Sequence, residues 1–183
     1  MKMILTALVT LVVLAAACSD QATPTDTLSV SPLRPAAADF SFTLLDRCEP
    51  ESFDAALGAG TCVGDGKVTF AEFIAELVKK QTHHQWRTQP TQVALKSGRP
   101  IALANVGGEV HTFTPVAQFG GGFVPDLNNL SGNPVPAPEC LDFGSIVFLP
   151  PGSVTSLAGL PEGAHRFMCC IHPWMRTTAE VRD

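Results

Sequence analysis

Within seven residues the chain carries a thiol, an imidazole and a thioether. Cys169, His172 and Met175 stand at C-x-x-H-x-x-M spacing in the run Phe167-Met168-Cys169-Cys170-Ile171-His172-Pro173-Trp174-Met175. A second imidazole, His111, lies far upstream in Asn105-Val106-Gly107-Gly108-Glu109-Val110-His111. One soft thiolate, one soft thioether and two imidazoles form a donor set suited to copper. Two imidazoles and a thiolate with a weak axial thioether are the arrangement of a blue-copper electron-transfer site. Zinc held by two cysteines and two histidines is the rival, but no paired C-x-x-C arms are present and Met175 occupies the fourth place. There is no C-x-x-C-H, so covalent haem is not indicated.

Such donors need rigid elements on either side. From Trp86 onward the pattern is that of strands: Val93 and Leu95 alternate, then Ile101 and Leu103, then Val110 to Thr114, Ile146 to Leu149, Ala164 to Cys169 and a last run from Thr178 to Arg182. Gly and Pro, 15 of each, punctuate these runs, and the expectation is an antiparallel sandwich. Between them Pro115 to Gly144 reads as a long turn-rich stretch without elements of its own, a length usually kept for function. In the extended run before the C-terminal loop, side chains alternate, so Cys169 shares the apolar face of Phe167 while Cys170 shares the face of Arg166.

These residues resemble the cupredoxin family. Residues 86–183 are similar to the amicyanin and plastocyanin group, in which the first ligand His follows an Asn by six residues, as His111 follows Asn105, and the other three ligands lie on the loop joining the last two strands. The compact ligand loop with Pro173 after its His resembles amicyanin, and Pro150-Pro151-Gly152 matches the family's Pro-Gly turn. The resemblance implies a Greek-key β-sandwich with a small N-terminal helical appendage. It implies one type 1 copper ion held by His111, Cys169, His172 and Met175, and one-electron transfer with no enzymatic turnover. It also implies a redox partner docking near His172, over an exposed imidazole edge flanked by Pro173 and Trp174. Asn105 is expected to link the two ligand loops by hydrogen bonds. Copper storage or delivery is the alternative, though it would call for an open Met- and His-rich surface, and there are only four Met. A copper enzyme would need an open coordination position or a second copper, and the sequence reveals no second ligand set.

The rest of the chain bounds where this centre works. Lys2 and the apolar run Ile4 to Leu14 form a secretory signal too short for a comfortable membrane span. Leu14-Ala15-Ala16-Ala17-Cys18 resembles a bacterial lipobox, so residues 1–17 are expected to be removed, with Cys18 lipidated as a membrane anchor. Cleavage by an ordinary signal peptidase is the alternative. The expected location is therefore the periplasm, free or anchored, and the expected state a monomer. Residues 18–39, rich in Thr, Ser, Pro and Ala, read as a flexible tether.

Residues 40–85 read as the helical appendage. Thr69 and Glu72 form a capping box ahead of Phe70, Phe73, Ile74, Leu77 and Val78, with Lys79 and Lys80 at the favourable end of the helix dipole. A shorter helix, Glu51 to Leu57, precedes it. Asp65-Gly66 to Glu72 has the outline of half a calcium loop, but Thr61 and Val63 stand where carboxylates would be required. His83 and His84 read as polar residues ending the helix rather than as a metal pair, and His165 as a structural residue of its strand. Residues 18–85 carry five Lys/Arg against ten Asp/Glu, and residues 86–183 six against seven. The β region is nearly neutral, the net charge of the whole chain is -5, and nucleic-acid binding has no electrostatic basis. With Cys18 and Cys169 set aside, Cys48, Cys62, Cys140 and Cys170 allow three pairings. One of them, Cys48–Cys62 with Cys140–Cys170, would staple the short helix and pin the long stretch beside the ligand loop.

Overall fold

A computed structural model describes residues 38–183. The signal segment, Cys18 and all of the tether but its last two residues lie outside the described residues. In chain order the elements are β1 (Phe40–Leu45), α1 (Pro50–Leu57), α2 (Phe70–Lys80), β2 (Arg87–Gln89), β3 (Gln92–Lys96), β4 (Ile101–Asn105), β5 (His111–Thr112), β6 (Thr114–Pro115), α3 (Pro125–Leu130), a 3-10 turn (Pro138–Leu141), β7 (Phe148–Leu149), β8 (Val154–Leu157), β9 (Gly163–Met168) and β10 (Arg176–Arg182). Two four-stranded sheets, in orders β2-β1-β4-β8 and β3-β10-β9-β6, form the sandwich, and β5 pairs with β7 in a short ribbon. Among the described residues no helix is long and apolar enough to cross a membrane.

The architecture is mainly β, with two corrections to the expected arrangement. The sheets are mixed: β1 runs parallel to β4 and β3 runs parallel to β10. The helical appendage does not begin at residue 40 either. Phe40–Leu45 is an interior strand of the first sheet, with Phe42 and Leu44 buried, because Phe40, Phe42 and Leu44 alternate with polar partners. The helices are then an excursion between β1 and β2, which pair antiparallel with Leu45 opposite Arg87.

The two helices form for local reasons. Thr69 Oγ1 accepts the Glu72 amide while the Glu72 carboxylate accepts the Thr69 amide, closing the capping box expected at the start of α2. Glu72 is spent on that cap and Asp65 is exposed beside Arg47, so the resemblance to a calcium loop is one of sequence only. Helix α1 starts with Pro50 at its first position, and the Glu49 carboxylate accepts the Glu51 and Ser52 amides. Phe53, Phe70, Phe73 and Trp86 pack ring to ring, with Phe53–Trp86 centroids 5.8 Å and Phe73–Trp86 centroids 4.7 Å apart. This group is continuous with the sandwich core of Phe42, Phe113 and Phe167, in which Phe113 stacks on Phe167 at 4.5 Å. Phe53→Ala is therefore expected to destabilise the whole sandwich, by about 3–5 kcal/mol. A single urea transition shifted to lower midpoint would show it; an early separate transition of the helices would contradict the shared core.

The long stretch after β6 is not structureless. It holds α3 and the 3-10 turn, and its own small core of Val116, Ala137, Cys140, Ile146, Met168 and Cys170. Asn128 accepts the Gly122 amide (2.6 Å) and donates to the Gly122 carbonyl (2.8 Å), which holds the segment in one conformation. Disulfides join Cys48 to Cys62 and Cys140 to Cys170, the second tying this segment to the end of β9.

Candidate metal centre

Strand β9 ends at Met168, and the alternation of its side chains decides which cysteine faces inward. Phe167 and Cys169 belong to the main core, while Met168 and Cys170 belong to the smaller core on the other side. Cys170 is bonded to Cys140, and Cys169 is the free, buried thiol among the described residues. The opposite face is apolar too, because the 115–147 segment covers it. After Cys169 the chain turns tightly: the Met175 amide donates to the His172 carbonyl (2.9 Å) and the Cys169 amide to the Met175 carbonyl (3.0 Å). These bonds close the ligand loop and place Met175, buried, back beside Cys169 along the chain.

His111 opens β5 and enters from the other side. Its Nδ1 lies 3.9 Å from Cys169 Sγ, and Nδ1 of His172 lies 3.7 Å from the same sulfur. The two imidazole centroids are 5.1 Å apart. His111, Cys169 and His172 thus converge, all buried. Burial raises the Cys169 thiol, but its bonds to His111 and then His172 outweigh that and hold it well below the ordinary thiol range. The Thr112 amide also donates to the sulfur (3.3 Å). A thiolate flanked by two ring nitrogens, with a thioether on the same loop, fits a soft-to-borderline metal such as copper.

Three features of the centre are not those expected. His172 is 2% exposed, so the imidazole edge foreseen as a docking point is covered. Phe73 of α2 stands at 6.5 Å from its ring and Trp174 at 5.5 Å. Asn105 does not link the two ligand loops. Its amide donates to the carbonyls of Glu109 and Leu149 (both 2.8 Å) and its oxygen accepts the Gly107 amide. The link between the loops runs through Thr112 instead, whose hydroxyl accepts the Cys170 amide at 2.7 Å. The third feature is a carboxylate behind each imidazole. Asp46 Oδ2 lies 2.9 Å from Nε2 of His111, and Glu109 Oε2 lies 3.6 Å from Nε2 of His172.

Asp46 follows β1 directly and is buried. It accepts the amides of Gly108 (2.9 Å), Glu109 (3.0 Å) and Cys48 (3.2 Å) as well as the imidazole. A Cβ on residue 107 would lie 1.9 Å from Asp46 Oδ2, so only glycine lets the backbone come this close. Burial raises the Asp46 carboxyl, yet the bond and charge of His111 and the two amides bring it to about 2. Burial likewise lowers His111, but Asp46 and then Cys169 carry it to about 9. With Asp46 on Nε2, the ring presents Nδ1 to the thiolate, which fixes its tautomer for a metal. Glu109 is held by the Trp86 indole N–H, and burial pushes its carboxyl up. Neither carboxylate is marked in the sequence. The one available hint was the Gly107-Gly108 pair beside a ligand histidine.

His165 bonds to the Pro161 carbonyl (2.8 Å), apart from the centre. His83 and His84 follow α2 and gather on Glu76, a second group of donors that the sequence does not reveal.

No protein-family model matches the chain and no curated protein sequence matches it. Among solved structures, the chain is similar to a purple cupredoxin from Nitrosopumilus maritimus, at 12% identity and TM-score 0.39, over 79% of this chain and 100% of that one. It is also similar to a methionine-to-alanine mutant of amicyanin with Cu(I), at 15% identity and TM-score 0.35, over 52% of this chain and 73% of that one. A copper-containing nitrite reductase from Thermus scotoductus is similar at 16% identity and TM-score 0.35, over 53% of this chain and 20% of that one. By its own sheet order and the loop joining its last two strands, the fold is a cupredoxin-like β-sandwich.

Proposed function

We propose that this protein is an exported carrier of single electrons that uses one type 1 copper ion held by His111, Cys169, His172 and Met175. The observation that carries this reading is the buried thiol with an imidazole nitrogen on either side, at 3.9 and 3.7 Å. Copper in such a set exchanges one electron between Cu(I) and Cu(II). The protein supplies a dry, fixed frame: the Thr112 amide on the sulfur, Asp46 behind His111, and the hydrogen bonds that close the 169–175 loop. Groups already in place need little rearrangement when charge changes. Burial of all three converging donors favours carriage over storage or delivery, which would be served by an open site. Two disulfides suit an oxidising compartment and support export. With the His172 edge covered, the docking surface for a redox partner falls on the ligand loop at Trp174, which is only partly buried.

The visible spectrum of the oxidised, copper-loaded protein tests this. An intense thiolate-to-copper band is expected; a colourless copper complex would favour storage. Met175→Leu is expected to keep copper bound and raise the reduction potential, since a weak axial thioether tunes the metal. Potentiometric titration checks it, and a variant that lost its copper would show that Met175 does more than tune.

A further inference from the structure

Phe73 and Trp86 connect the thiolate centre to a second set of donors. Helix α2 ends at Lys80, and Gln81, in the left-handed region (φ 59), turns the chain back so that residues 83 and 84 reach Glu76 one turn earlier on the helix. His84 Nδ1 lies 2.8 and 2.9 Å from the two Glu76 oxygens. His83 Nε2 lies 3.4 Å from Glu76 Oε2. The ligand atoms of the three residues all fall within 4.8 Å of one another. They line an open cavity together with Lys67, Glu72 and Gln85.

His83 is the unusual member. Its side chain is 1% exposed, packed against Phe73 and edge-on to Trp86. Its Nδ1 accepts the Gln85 amide at 3.2 Å, and its Nε2 lies 3.4 Å from Glu76 Oε2 without a hydrogen bond between them. Burial pushes the imidazole down to about 4. A polar residue that merely ended a helix would turn to solvent, as His84 does.

We propose that Glu76, His83 and His84 form a second metal site, for a divalent first-row cation of borderline softness such as Zn2+ or Cu2+. Two imidazole nitrogens and one carboxylate oxygen match that class, where an all-oxygen set would match Ca2+ or Mg2+. The open cavity leaves a further position for water. Binding moves the ring proton of His83 from Nε2 to Nδ1, which releases the Gln85 amide. The ring proton of His84 moves from Nδ1 to Nε2. The ammonium of Lys80, 3.2 Å from Glu76 Oε1 and half exposed, must swing away. The site is joined to the first centre by ring contacts of 4.5 Å (His83–Trp86), 4.7 Å (Trp86–Phe73) and 6.5 Å (Phe73–His172).

Calorimetric titration of the full chain with Zn2+, in the native sequence and in Cys169→Ala, separates the two centres. A Zn2+ site that persists in Cys169→Ala is expected. Added to that variant, Glu76→Gln or His84→Ala should weaken the site at least tenfold. Lys80→Ala should tighten it severalfold, because a competing cation is removed. His84 is exposed, so its variant keeps the fold, and circular dichroism checks this. Zn2+ binding that disappears with Cys169, or an affinity indifferent to both Glu76→Gln and His84→Ala, overturns the proposal. So does a Lys80→Ala variant that binds no tighter, since Glu76 would then serve only to staple the helix end.

Discussion

Cys169→Ala is expected to erase the coloured copper centre completely, and Cys170→Ala to leave the colour in place. The two residues are neighbours in sequence, yet β9 sends them to opposite sides. One sulfur meets His111 and His172, and the other is bonded to Cys140. Only the first can donate charge to a metal held by the two imidazoles. Loss of Cys170 opens a loop closed across a sequence separation of 30, at a cost of about 2–4 kcal/mol in stability. The Thr112 hydroxyl still accepts the amide of residue 170, so the ligand loop keeps its anchor. The absorption of the oxidised protein and a urea melt of each variant separate the outcomes. Colour lost with Cys170 and kept with Cys169 would refute the ligand assignment.

Asp46→Asn is expected to weaken both the fold and the metal. The carboxylate accepts three amides and faces a buried imidazole, so its removal leaves that imidazole without its counter-charge. Breaking such a buried pair costs about 3–5 kcal/mol. Loss of a group that orients a metal-binding histidine typically lowers metal affinity about 10- to 100-fold. Copper competition titrations against a chelator measure the second effect, and unchanged affinity would rule out a positioning role. The same pair sets a pH window in the metal-free protein. Asp46 is depressed from 3.8 to about 2, so its contribution is present above 3.8 and is lost as pH falls through about 2. His111 is raised from 6.5 to about 9, so its contribution is present below 6.5 and is lost as pH rises through about 9. Stability from the pair should be greatest between those limits, with both flanks flattened in Asp46→Asn.

The proposed donors stand out in the sequence because three of the four sit on one short loop, and the structure brings His111, Cys169 and His172 together. The inward choice of Cys169 over Cys170 followed from period-two geometry, and the capping box of α2 from local hydrogen bonding. What stayed hidden depends on distant pairing. Strand β1 shows its alternation at Phe40, Phe42 and Leu44, but its partner β4 begins at Ile101, and parallel pairing leaves no mark on either segment alone. Helix α3 had a readable start, Pro125 followed by Asp126, lost within a stretch dense in turn residues. Asp46 and Glu109 look in sequence like two ordinary acidic residues. Their roles exist only once Gly107 and Gly108 bring the backbone against Asp46 and Trp86 reaches Glu109.

The pairing of Leu45 with Arg87 gives the helical excursion a modular character. Residues 46–86 leave and rejoin the sheet on the same rung, as the loop of a hairpin does. A different elaboration could be grafted on that rung without changing any other strand order, provided it refilled the part of the core that Phe53, Phe73 and Trp86 occupy. The excursion nevertheless carries Asp46, which faces His111, and Phe73, which covers His172. Exchanging this one segment would therefore alter the charge environment of the proposed metal centre and its shielding from water together. Evolution could retune the centre by swapping a loop, leaving the four proposed donors untouched.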